Sequence, residues 1–314
     1  MKAKILCALL VICLAVSGAD AAVTEGPVRL GVMKFLSRTD GISEVQAAAI
    51  GDIFTRVLAG SKTITVVERD QLEHIANEHN MNMSGMVTDE TAVRLGKIIG
   101  CNYMLIGAVT QYEQKMGETD AWLIVWKKYT SSATIDARIV DVETTKVVMS
   151  LSETGTNNQK SEEINLPHAG INTKDTKALE GLESGAIADA VSRLAFRIRE
   201  NFTGEYIHVV DPGSKEITIE LGEQNGAQLG ALYRVYAEGK EIFGSDGRSL
   251  GRSRNDIAVV KITSVQPAFS TAVLAKGGAG RLALVKKGDK IAPITPDEME
   301  RLIKNKSFPT TRPR

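Results

Sequence analysis

From Val28 to about Glu113, short apolar runs of two-residue period alternate with segments whose apolar residues recur every three or four positions. This alternation constrains the fold more than any other feature of the chain. Strands are expected at 28–35 (VRLGVMKF), 63–68 (TITVVE) and 103–113 (YMLIGAVTQYE), and helices at 42–58, from Arg69 to about His79, and at 89–98. Strands joined through helices lie parallel, because the helix supplies the return path across the sheet. Three further runs, 121–128, 131–142 and 146–155, have no helix between them, and DVETTK forms a turn between the last two. This half is therefore expected to be antiparallel and the sheet mixed. Residues 156–177 are polar, contain Pro167 and lack periodicity, which predicts a loop. A long helix pattern follows from Ala178 to Asn201, with Leu179, Leu182, Ala186, Ala190, Leu194 and Ile198 on one face.

After Tyr206 the helical period disappears. YIHVVD, EITIEL, ALYRVYAE, residues 256–275 and DKIAPI read as short strands between glycine-rich turns, the pattern of a small antiparallel β-barrel or sandwich. The expected fold class is thus α/β (α+β). A mixed-sheet α/β domain covers 22–203, a small all-β domain covers 204–295, and a short helix with a frayed basic tail covers 296–314.

Residues 1–21 are expected to be a signal peptide. MKAK is basic, ILCALLVICLAV is apolar, and small residues stand at Ala19 and Ala21, placing cleavage between Ala21 and Ala22. The apolar core is shorter than the roughly 20 residues that span a bilayer, and no later window approaches that length. Cys7 and Cys13 lie inside the leader behind Leu6 and Ile12, where lipid attachment requires a small residue, so no lipid anchor is expected. Cys101 then stands alone in the mature chain, with no intramolecular disulfide and a buried thiol expected. With 38 basic and 38 acidic residues, the charge balance gives no electrostatic reason to expect nucleic acid or an anionic membrane as a partner, and membrane association stays open only without a transmembrane helix.

The stretch VVERDQLEHIANEHNMNMSGMV (66–87) concentrates acids, histidines and methionines, yet His74 and His79 are five apart. Helical metal ligands sit four apart, so that both rings share a face. Glu68, Arg69 and Asp70 read as a strand end and a helix start, and Met81, Met83 and Met86 as core or contact residues. GGAGRLALVKKGDK (277–290) lacks the GxxxxGK[ST] order of a phosphate loop and is expected to be a hairpin turn. MSGMV and ESGAI supply no GxSxG elbow, and neither His168 nor His208 has an evident catalytic partner. The expectation is a non-enzymatic protein with no catalytic residue, no cofactor and no metal.

Val67, Glu68, Arg69 and Leu72, then Glu78, then Ser84 and Gly85, then Leu95, Gly96 and Lys97, then Gly107 and Val109 form a spaced signature over about fifty residues. It resembles the curli production assembly/transport (CsgG/HfaB) family, with a looser likeness from Val28 to Phe202. The resemblance implies a bacterial envelope protein whose periplasmic α/β domain assembles into rings. In the curli channel itself it further implies a lipid anchor and membrane hairpins that form an outer-membrane barrel. Here segment 112–134 is the one contender for such a hairpin, and Trp122, Ile124 and Trp126 on one of its faces suit a packed sheet or partner surface equally well. Within 204–295, LGEQNGAQLGALYRVYAEGKEI and ALVKKGDKI resemble the C-terminal domain of the flagellar assembly protein FlgT.

Together these imply a periplasmic scaffold or assembly component for secretion or surface structures, a homo-oligomer with other cell-envelope proteins as partners. Alternatives are an outer-membrane secretion channel subunit, a flagellar basal-body ring component, a cell-wall-synthase activator, or a periplasmic ligand-binding protein or hydrolase.

Overall fold

The structure is a computed structural model that describes residues 27–67, 69–78, 88–121, 124–166, 171–172, 182–277, 280–305 and 307–312. The N-terminal half runs β1 (Val28–Val32), β2 (Leu36–Ser37), α1 (Glu44–Leu58), β3 (Ile64–Val67), α2 (Arg69–Glu78), α3 (Asp89–Ile99), β4 (Tyr103–Ala121), β5 (Ile124–Asp141), β6 (Val147–Leu166), β7 (Ile171–Asn172) and α4 (Leu182–Phe202). Its sheet has the order β3-β1-β4-β5-β6-β7, with β2 also on β4. β1 pairs parallel with β3 and β4, whereas β4, β5, β6 and β7 pair antiparallel in succession, which is the expected mixed sheet.

Strand alternation divides the core into two layers. Leu105, Val109, Ile135 and Ile139 face α1 and α4, where they pack with Ile50, Phe54, Ala190 and Leu194. Met104, Ile106 and Val140 face the other way, against Leu72 and Ala76 of α2 and Leu95 of α3. Each such large side chain contributes about 1.5–3 kcal/mol on burial. Local chemistry fixes the helix ends. The Ser43 hydroxyl accepts the Gln46 N–H while the Gln46 side chain accepts the Ser43 N–H, and α3 starts on Thr88 and stops at Gly100, whose φ of 73° is left-handed.

The C-terminal half runs β8 (Val209–Pro212), β9 (Glu216–Ile219), β10 (Leu232–Phe243), β11 (Ser249–Val265), β12 (Ser270–Leu274), β13 (Lys290–Pro293) and α5 (Pro296–Lys304). These strands form one antiparallel sheet, β13-β10-β11-β12-β9-β8, around Val235, Ile257, Val260 and Ile291. It curls until its edges meet at the His208↔Lys290 bridge, giving a sandwich-like body rather than a closed barrel.

Several expectations are corrected. The first strand breaks at Met33–Phe35, because Phe35 turns inward to stack on Phe54 with ring centroids 5.2 Å apart. Residues 124–128 and 131–141 of these two runs lie in one strand, β5, and Ala121 ends β4. The loop expected over 156–177 is strand as far as Leu166, in continuous register with β5 from Ser132↔Thr156 to Ile124↔Ile164. Backbone pairing needs no apolar alternation, so polar residues with no core face to fill leave no periodic signal. The segment 277–290 is no hairpin, since β12 and β13 do not pair; it crosses between them and buries Leu282 on the way. The tail is tied down rather than frayed, because Arg312 donates to both oxygens of buried Asp289 and to the Leu284 carbonyl.

Candidate functional surfaces

The described apolar and glycine residues of the signature are packing residues. Val67, Leu72 and Leu95 lie together in the layer under α2 and α3, and Val109 is fully buried in the opposite layer. Gly96 and Gly107 permit close approach. A Cβ on Gly96 would lie 2.7 Å from Val142, and one on Gly107 would lie 2.5 Å from the Asp136 carbonyl and still nearer the Phe35 ring. Lys97 is exposed on α3. Glu78 faces solvent and pairs with exposed His74 at 3.6 Å. Glu68, Ser84, Gly85, His79, the three methionines, Trp122, His168 and the Ala21–Ala22 junction lie outside the described residues, as do the side chains of Arg69, Asp70, Ile124 and Trp126. Cys101 is buried as expected, and that burial pushes its thiol pKa up.

Helix α4 carries a polar seam that reading the sequence did not reveal. One face fills the core with Ala186, Ala190, Leu194 and Ile198, while other residues tie the first sheet to the second. Arg193 donates from Nε to Asp189 at 2.9 Å and from Nη2 to the Ile294 carbonyl at 3.0 Å; Asp189 also accepts the Thr156 N–H of β6. Glu200 accepts from Arg254 and from the Tyr236 hydroxyl, and burial together with Glu200 pushes the Tyr236 pKa up. Arg199 donates to Glu205, which also accepts from Ser61 and Thr63. Burial alone raises the Glu205 pKa, but the Arg199 and Ser61 bonds outweigh it and hold the carboxyl below the ordinary glutamate value. The i,i+4 spacing of Asp189 and Arg193 was the available sequence signal.

Beside this seam a cleft of about 590 Å³ opens between β6, α4 and the second sheet, lined by Thr156, Asn157, Gly185, Gln228, Leu229 and Lys261. A smaller hollow of about 200 Å³ lies on the open face of β4 and β5 beside Arg38, Asp136 and Arg138. There Asp136 accepts the Ser152 hydroxyl and Arg138 pairs with Asp89. No group of three or more His, Cys, Asp or Glu among the described residues is placed to hold a metal ion.

A third feature is an extension of the first sheet. β4 (from Glu113), β5 (up to Ser132) and β6 (from Asn158) continue to pair for nine residues per strand, with β7 joining β6 at Asn165 and Leu166. At about 3.3 Å per residue this stretch spans about 30 Å. No helix among the described residues is long and apolar enough to cross a membrane.

A mixed α/β body joined through one long helix to a curled antiparallel sheet is the class of protein that this geometry defines. The chain belongs to the family described as curli production assembly/transport component CsgG, whose profile matches residues 17–202, more than half of the sequence. The second sheet lies beyond that match. No curated protein matches the chain. Among solved structures, the lipoprotein GNA1162 from Neisseria meningitidis is similar at 18% identity and TM-score 0.32, over 42% of this chain and 84% of that one. The LpoB C-terminal domain from Escherichia coli aligns at 16% identity and TM-score 0.31, over 43% and 87%. A PelC dodecamer from Paraburkholderia phytofirmans aligns at 16% identity and TM-score 0.29, over 54% and 87%. At these scores the structural likenesses carry no functional argument. Family membership supports a role related to envelope assembly or transport.

Proposed function

We propose that the protein is a non-enzymatic scaffold of the bacterial periplasm, working as an oligomer with other envelope proteins in secretion or surface-structure biogenesis. The observation that carries this reading is the family match over 17–202. It is supported by the use of the described apolar and glycine signature residues for packing. What such a body offers a partner is surface: the polar cleft beside α4, the extension of the first sheet and the second sheet. The test is affinity capture of the tagged protein from cross-linked cell envelopes, with fractionation of the same cells. Recovery of defined envelope partners from the periplasmic fraction is expected; a partnerless soluble protein overturns the reading.

A second reading, an outer-membrane channel subunit, is favoured by one observation. The nine-residue strand stretches of this extension approach the 9–11 residues of a membrane-spanning β-strand. Fractionation with the outer membrane together with ion conductance in planar bilayers would establish it, and absence of both would remove it.

A further inference from the structure

The cleft of about 590 Å³ beside α4 draws its walls from both bodies, and its polar groups are only partly used within the fold. Its volume lies within the roughly 300–1,000 Å³ of sites that take small ligands, which is room for a short stretch of chain and not for a folded partner. The side chain of Arg193, which lines it, is 6% exposed. Its Nε donates to Asp189 and its Nη2 to the Ile294 carbonyl, while its Nη1 donates to no described residue. Asp189 is the one acid among the described lining residues, and its Oδ2 already accepts from Arg193 and from the Thr156 N–H. Lys261 of β11 is exposed at the cleft and its amine has no partner among the described residues, so the charge left over is positive. An anionic group entering here meets a largely desolvated guanidinium, where a charge-assisted hydrogen bond is stronger than in open water.

The rest of the lining selects among anions. Asn158 of β6 accepts the Thr130 hydroxyl at Oδ1, so its amide nitrogen is what it offers the cleft; Gln228 donates its own nitrogen to Ser192 and offers its carbonyl oxygen. One donor from the first body and one acceptor from the second match the C=O and N–H of a peptide group. Apolar surface lies beside them in Leu229, which is 73% exposed, and in Ile294 and Pro296, and it suits an aliphatic side chain. A small inorganic anion would use the charges and leave the carboxamides and the apolar surface idle. No aromatic ring stands among the described lining residues, so a sugar's apolar face finds nothing to stack on.

We infer that this cleft docks an acidic, extended peptide segment of a partner protein, with a carboxylate drawn to Arg193 and Lys261, the backbone on Asn158 and Gln228, and an aliphatic side chain on Leu229. The inference rests on the scaffold reading and assigns a partner chemistry to one of its surfaces. The test uses the purified protein and defined peptides, so its failure removes this cleft as a docking site, while capture of envelope partners decides the scaffold reading separately. Fluorescence anisotropy is read with a short labelled peptide of alternating glutamate and leucine, and with the same peptide carrying lysine in place of glutamate. Saturable binding of the first is expected, with the second at least about tenfold weaker. Lys261→Glu and Leu229→Asp each change an exposed side chain, and each should lower the affinity by about tenfold at an unchanged melting temperature. Absence of saturable binding, equal binding of the lysine peptide, or an unchanged affinity in either variant would overturn the inference. So would tighter binding of oligogalacturonate, an acidic glycan without peptide groups, which would make the cleft a saccharide site.

Discussion

Replacing Gly155 by alanine puts a methyl group where helix α4 already lies. A Cβ at this position of β6 would come within 2.1 Å of the Ala186 carbonyl oxygen and 2.2 Å of the Ala190 nitrogen, both backbone atoms that cannot rotate away. Restoring ordinary contact distances requires about 1 Å of separation between β6 and α4. α4 has nowhere to go, because Ala186, Ala190 and Leu194 fill the core and Asp189 is bonded to the Thr156 N–H next door. Overpacking of this kind costs about 1–3 kcal/mol and weakening the Asp189 bond about 1 kcal/mol more, against about 0.4–1 kcal/mol gained by restricting the unfolded chain. The net destabilisation of about 2–3 kcal/mol corresponds to a fall in melting temperature of about 5–10 °C for a body of this size. Differential scanning calorimetry measures it, with Gly117→Ala as control: there the nearest atom to a new Cβ is the Lys128 carbonyl oxygen at 3.9 Å, and no loss is expected. If Gly155→Ala melts within about 1 °C of the wild type, the close packing of α4 on β6 is refuted.

Glu200→Ala should cost about 2 kcal/mol in urea titration, because it leaves the Arg254 guanidinium and the buried Tyr236 hydroxyl without their acceptor; an unchanged midpoint would mean that water replaces the carboxylate. Glu205, its pKa lowered in the fold, stabilises the protein above the unfolded glutamate pKa, and this contribution is lost as pH falls through the folded value. The stability gap between wild type and Glu205→Gln should therefore be widest near neutrality and close in acid; a gap that does not vary with pH would show that the Arg199 pair gives no such contribution. Cys101, buried and with its pKa raised, should resist a thiol reagent in the native protein and react promptly in denaturant, and rapid native labelling would contradict its placement.

Much of the first body was legible because its elements carry a core face. Ile50, Phe54 and Val57 of α1 repeat at helical spacing, and β4 alternates Met104 and Ile106 with Leu105 and Val109, so both the elements and the mixed sheet could be read. The illegible parts are those whose order comes from backbone pairing or from charge. Residues 156–166 of β6 are almost wholly polar, so they read as loop, and the length of the β10–β11 hairpin was underestimated. Arg312 looked like part of a loose basic tail because its partner, Asp289, lies 23 residues away. The seam on α4 was hidden for the same reason: Arg193 meets Ile294, and Glu200 meets Tyr236 and Arg254, across separations that no local pattern records. The signature from Val67 to Val109 was legible as a family mark, and the fold assigns its described apolar and glycine positions to packing.

The measurement closest to the central claim is the native mass of the untagged protein released gently from cell envelopes, by light scattering coupled to size exclusion, with the composition of the same peak read by mass spectrometry. Expected is a complex several times the 33.8 kDa of one chain, containing multiple copies or defined envelope partners. A single peak at the mass of one lone chain, at the concentration found in the envelope, would contradict the proposal that this protein works by assembly.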